Sequence, residues 1–95
     1  MIEKDFVIEN EAGLHARPAA KFTQVANSYK SEIFLIKDGK MGNGKSLLSI
    51  LALGIFRGSR FRVQIVGPDE VEALYGITKL IENNFKDEEE GIFSL

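Results

Sequence analysis

The sequence predicts an α+β sandwich in which helices cover one face of a sheet, and three observations carry that reading. Segments 2–9 and 60–66 alternate apolar and polar residues with the period of a strand. Segments 16–28 and 69–81 switch to helical spacing. Between the apolar run 31–37 and a returning segment, 40–43, stands Asp38-Gly39, the dipeptide favoured by tight two-residue hairpins.

In order, "IEKDFVIE" sets Ile2, Phe6 and Ile8 against Glu3, Asp5 and Glu9, a half-buried strand. Asn10 to Gly13 is polar and ends in glycine, a loop. Residues 16–28 place Phe22, Val25, Ala26 and Tyr29 on one side of a helix. "SEIFLIK" is a β-branched-rich strand that turns at Asp38-Gly39 into a second strand, Lys40 to Asn43. "KSLLSILALG" is a short helix with Ser46 at its N-cap and Gly54 just past its end. "RFRVQIV" points Phe61, Val63 and Ile65 inward and Arg60, Arg62 and Gln64 outward, until Gly67-Pro68 breaks it. Asp69 and Glu72 then form a capping pair ahead of Val71, Leu74, Ile77, Thr78 and Ile81. The order is β-α-β-β-α-β-α. The closing "KDEEEGIFSL" is an acidic run, expected to be a mobile tail.

Composition limits the function. Ninety-five residues are one domain, burying about 64% of the unfolded surface. A net charge of −2 argues against nucleic acid as a partner. The absence of cysteine removes disulfides and thiolate metal sites and is compatible with a cytoplasmic address. The N-terminus shows no apolar signal region, and no run reaches the ~18 apolar residues of a membrane span.

Chemistry concentrates in "AGLHARPAAKF", which holds the only histidine, His15. Gly13 bends the chain so that residue 15 projects from the loop. Pro18 stands where a helix starts, its missing N–H being one of the unpaired donors there. The N–H groups of Ala16 and Arg17 are left to face an anion beyond the helix end, which carries about half a positive charge. Arg17 adds a forked cation suited to phosphate oxygens. In that field a charged imidazole is disfavoured, so the ring is expected neutral and nucleophilic.

Hydrolysis would need a base or metal to activate water, and no second histidine, thiolate or paired carboxylates supply one. "GNGKS" lacks the spacing of a nucleotide-binding loop. A single nucleophile with an anion cradle describes a carrier rather than an independent enzyme, and no cofactor or metal is called for.

"GLHARPAA", then "NGKSLLSILALG", then "GPDEVEAL" strongly resemble HPr, the histidine-containing phosphocarrier family of the bacterial phosphoenolpyruvate-dependent phosphotransferase system. The resemblance runs from the first strand to about Phe85, so residues 1–86 are read as the phosphocarrier domain and 87–95 as its tail. It implies an open-faced sandwich of four antiparallel strands and three helices. It further implies that His15 takes a phosphoryl group on Nδ1 from phosphorylated enzyme I and passes it to the A domain of a sugar-specific enzyme II. A nitrogen- or carbon-regulatory paralogue would use the same His15 for signalling instead of sugar uptake. A monomer is expected.

Ser46 has two readings: a plain N-cap worth about 1 kcal/mol, or the serine that relatives phosphorylate with a dedicated kinase/phosphorylase. Phosphorylation there would slow acceptance at His15 and recruit a transcriptional regulator. The run 47–53 is too apolar for one buried stripe, so Leu47, Leu48 and Leu51 are expected to form an exposed patch for partners, with Gly54 at its edge. Arg17, Lys21 and Lys45 would rim it. Arg57 is either part of the rim or ordinary surface charge. Gly42, where relatives carry a larger residue, is expected to loosen its strand. Gln24 and Asn27 stand where basic residues are common in the family, weakening docking.

Overall fold

Alternation along the strand segments resolves into one antiparallel sheet. A computed structural model describes residues 1–86, and the expected mobile tail, 87–95, lies outside the described residues. The elements are β1 (Ile2–Val7), α1 (Ala16–Asn27), β2 (Glu32–Lys37), β3 (Lys40–Asn43), α2 (Leu47–Ala52), β4 (Arg60–Val66) and α3 (Glu70–Glu82). The strand order is β1-β4-β2-β3.

Register puts apolar residues opposite one another: Phe6 faces Phe61, Ile33 faces Ile65, and Leu35 faces Val63. The Phe6 and Phe61 rings stack with centroids 5.8 Å apart. Against this face α1 buries Phe22 and Ala26, α2 buries Ile50, and α3 buries Ala73, Ile77 and Ile81. The other face is polar at β1 and β4. Arg62 pairs with Asp5 at 2.8 Å and Glu3 at 3.3 Å, exposed contacts that add little stability. The β2–β3 turn has Asp38 at φ 51° and Gly39 at φ 78°, the left-handed pair that a two-residue hairpin of this twist requires.

Three expectations fail here. Asp69 stands at the N-cap of α3, but its side chain does not cap the helix. It instead accepts the Ser31 hydroxyl at 2.5 Å and the backbone N–H groups of Lys30 at 2.8 Å and Ser31 at 2.9 Å. The Ser31 hydroxyl foremost, then the Lys30 amide, pull the Asp69 carboxyl down to about 2. Glu72 is exposed, and the neighbouring Glu70 takes the Gly67 N–H at 3.2 Å. The carboxylate meant for its own helix thus ties α3 to the start of β2. Gly42 does not loosen β3 either. A Cβ there would meet Leu53 Cδ1 at 2.9 Å and Ser49 O at 3.1 Å, so the missing side chain lets α2 lie against the strand. Val71, placed with the apolar residues of α3, is exposed. Among the described residues no helix is long and apolar enough to cross a membrane.

Candidate functional site

The loop before α1 is fixed from both sides of His15. Asn10 and Gly13 close a turn, with Gly13 N–H donating to Asn10 O at 3.0 Å and Asn10 Nδ2 to Gly13 O at 2.8 Å. Gly13 has φ 65°, and a Cβ would lie 2.6 Å from Ile55 O and 2.8 Å from Phe56 Cα. Glycine is therefore required twice, for its left-handed backbone and for this close approach. Leu14 is buried and donates its N–H to Ile55 O at 2.9 Å. His15 follows immediately and is exposed.

His15 is the N-cap of α1, with extended backbone and no side-chain cap bond. Its carbonyl accepts the first helical bond, from Ala19 N–H at 2.9 Å. Ala16, Arg17 and Pro18 are then the first three helical residues. Proline thus falls in the first turn, where the sequence places it, as the third helical residue. The third N–H of a helix also lacks an intrahelical acceptor, so Pro18 forfeits nothing there. Arg17 is helical despite preceding a proline. The Ala16 N–H stands in the first turn, at the positive end of the helix.

Next to His15 lies a cavity of about 220 Å³. One wall is the start of α1: His15, Arg17, Pro18 and Lys21. The other is the end of α3: Asn84, Phe85 and Lys86. Beyond Glu82 the chain turns through two left-handed residues, Asn84 at φ 53° and Phe85 at φ 63°. Phe85 N–H donates to Leu80 O at 2.9 Å and its side chain is buried, closing the helix. Phe85 O accepts Lys21 Nζ at 2.9 Å, which joins the two walls. Arg17 and Lys21 are both held by contacts within the chain. Sequence reasoning missed residues 84–86 as a wall. The Asn83-Asn84 pair signals a helix end, but nothing local shows what that end meets.

Ser46 and Lys45 belong to the opposite end of α1. Ser46 is the N-cap of α2 and its Oγ accepts Ser49 N–H at 3.3 Å. Lys45 Nζ donates to Tyr29 O at 2.7 Å, while Asn27 Nδ2 reaches Lys45 O at 3.2 Å. A twelve-residue helix separates this place from His15, about 18 Å along the axis. The structure brings His15, Ala16, Arg17 and Lys21 together; Lys45 and Ser46 are not in that cavity. Leu48 is 79% exposed, and Leu47 and Leu51 are each 37% exposed, so this stripe of α2 is open. Gly54 has φ 64°, and its carbonyl accepts Lys37 Nζ. Phe56, absent from the sequence reading, extends the apolar surface; it is 68% exposed and lies against Gly54. Lys37 Nζ sits 5.3 Å above its ring. Arg57 lines a different hollow, with Val7, Ile8, Glu9 and Gly58.

Comparison with known proteins gives a consistent answer. A family model described as "PTS HPr component phosphorylation site" matches residues 2–83. The phosphocarrier protein HPr of Treponema pallidum is 40% identical over 88 residues, covering 93% of this chain and all of that one. The HPr-like protein Crh of Halalkalibacterium halodurans is 44% identical over 82 residues, 86% of this chain and 98% of its own. Among solved structures, HPr from Thermoanaerobacter tengcongensis superimposes with a TM-score of 0.88 at 41% identity. That match covers 92% of this chain and 98% of the other.

Proposed function

Because the chain belongs to the HPr family of phosphocarrier proteins, we propose that His15 is its phosphoryl acceptor. The carrying observation is that the single histidine stands exposed at the open N-cap of α1, beside a cavity walled by Arg17 and Lys21. The group comes from phosphorylated enzyme I. The lone pair of His15 Nδ1 attacks phosphorus, and the bond from phosphorus to the donor breaks as the N–P bond forms. Nε2 keeps its proton throughout. The anion then sits against the start of α1, where the Ala16 and Arg17 amides, the helix dipole and the Arg17 guanidinium offset its charge. A nucleophile of the A domain of an enzyme II then attacks phosphorus, and the N–P bond to His15 breaks as the new bond forms, returning the lone pair to Nδ1. The protein works in the cytoplasm as a monomer and catalyses nothing alone.

Partners dock on the open stripe of Leu47, Leu48 and Leu51, continued by Gly54, with Arg17, Lys21 and Lys45 around it. Such a rim raises association rate more than affinity, which suits a shuttle that must release. The test is incubation with enzyme I and phosphoenolpyruvate, followed by intact mass. One acid-labile phosphoryl group should appear and be absent in His15→Ala; its persistence in that variant would reject the assignment.

A second role has its own support, the likeness to the HPr-like protein Crh. We propose that a kinase/phosphorylase modifies Ser46, placing roughly −1.5 to −2 charges beside Leu47 and Leu48. That charge repels acidic partners of the His15 cycle and favours a transcriptional regulator with a basic face. Ser46→Asp should slow acceptance from enzyme I at unchanged fold, and an unaltered rate would count against the inhibition. In a nitrogen- or carbon-regulatory paralogue the same two residues would serve signalling without sugar uptake.

A further inference from the structure

We propose that Lys37 is a positioning residue for His15, acting through the segment Gly54, Ile55 and Phe56. The proposal rests on the reading of His15 as the phosphoryl acceptor. Lys37 is the last residue of β2 and is half-buried. Its Nζ donates to Gly54 O, just past the end of α2, and lies 5.3 Å from the centroid of the Phe56 ring. One ammonium thus holds the residues on both sides of Ile55.

Ile55 is the seat of the loop that carries His15. Its side chain is buried, and its carbonyl accepts the Leu14 N–H at 2.9 Å. Gly13 passes so close to Ile55 O and Phe56 Cα that a Cβ would collide with both. Downstream the segment is tied by neutral bonds, from Phe56 N–H to Ser59 Oγ at 3.1 Å and from Gly58 N–H to Ile8 O at 2.8 Å. Lys37 adds a charged one. A hydrogen bond from an ammonium is about twice as strong as a neutral bond, and the carbonyls at a helix end carry partial negative charge. The face of an aromatic ring attracts the same cation. Gly54 and Phe56 cannot shift without breaking one of these contacts, so Ile55 O stays where Leu14 needs it. His15 is the next residue. Lys37 does not line the His15 cavity, so its effect is exerted through position. A displacement of about 1 Å at a reacting group can cost about 10²-fold in rate.

Lys37→Met keeps the apolar stem and removes the charge, whereas Lys37→Arg keeps a donor and a cation. Amide hydrogen exchange is read at Leu14 and at Val63, which lies in β4, an inner strand of the sheet. In Lys37→Met the Leu14 amide should exchange about tenfold faster while Val63 stays within about twofold, and Lys37→Arg should bring Leu14 back. With enzyme I as donor and this protein as the varied substrate, kcat should fall about tenfold in Lys37→Met at a KM within about twofold, and recover in Lys37→Arg. An unmoved Leu14 or an unmoved kcat overturns the proposal. An equal rise at Leu14 and Val63 also overturns it, because Lys37 would then be a general stabiliser. A native chain that takes no phosphoryl group rejects the reading of His15 instead, and the exchange rates still decide whether Lys37 holds Leu14.

Discussion

The first turns of α1 and α2 share the same backbone problem, unpaired amides at a helix start, and solve it differently. Ser46 turns its hydroxyl inward and accepts the Ser49 N–H of its own helix. His15 makes no such bond, and its side chain stays exposed. A closed cap contributes stability. An open cap contributes less, but leaves the side chain to an outside group. What holds the open cap in place is its surroundings: Gly13 and Leu14 are pinned to Ile55 and Phe56 upstream, and Lys21 to Phe85 downstream. The open terminus is supported by the fold, the other by itself.

Four substitutions probe this contrast. Gly13→Ala removes the upstream support, adding a strained left-handed backbone and a clash with Ile55 O, and should cost about 3 kcal/mol in chemical denaturation. A loss below about 1 kcal/mol would show that the turn adapts. Arg17→Ala should lower the rate of phosphoryl acceptance about 10²-fold, the usual cost of one preorganised donor to a developing anion. Its melting temperature should stay put, and a rate within twofold would remove Arg17 from the site. Ser46→Ala should lose about 1 kcal/mol, whereas His15→Ala should stay within about 0.5 kcal/mol. Equal losses would erase the distinction between closed and open caps.

The smallest effect concerns α3, whose N-cap carboxylate is diverted to β2. The Asp69 carboxyl lies near 2 in the fold against its ordinary 3.8. Its contribution is therefore complete above pH 3.8 and is lost as pH falls through that window toward 2. Asp69→Asn should narrow its stability gap to the native protein between those limits; a gap constant with pH would show that the carboxylate charge plays no part.

Much of this architecture was written into local patterns. Alternation at 60–66 and Asp38-Gly39 specify a strand and a hairpin because neighbours along the chain decide both. Gly13, His15 and Arg17 stood out for the same reason. What escaped depends on residues far apart in sequence. Asp69 looked like a cap because Ser31 lies 38 residues away and cannot be anticipated as a competitor. Gly42 looked like weakness, since the Leu53 side chain that fills its space belongs to another element. The second wall of the cavity comes from the end of α3, and Lys21 meets it across 64 residues.

The sheet order has a consequence for the nascent chain. β1 is made before the other strands, yet among the described residues its neighbour in the sheet is β4, and Glu3 must wait for Gln64, 61 residues later. At ribosomal rates of about 5–20 residues per second, that leaves the first strand unmatched for several seconds. The anchor of Leu14, Ile55, is likewise late. Ribosome-bound chains shorter than β4 thus carry His15 without its setting, so the proposed competence to accept phosphate arrives only once β4 has been made.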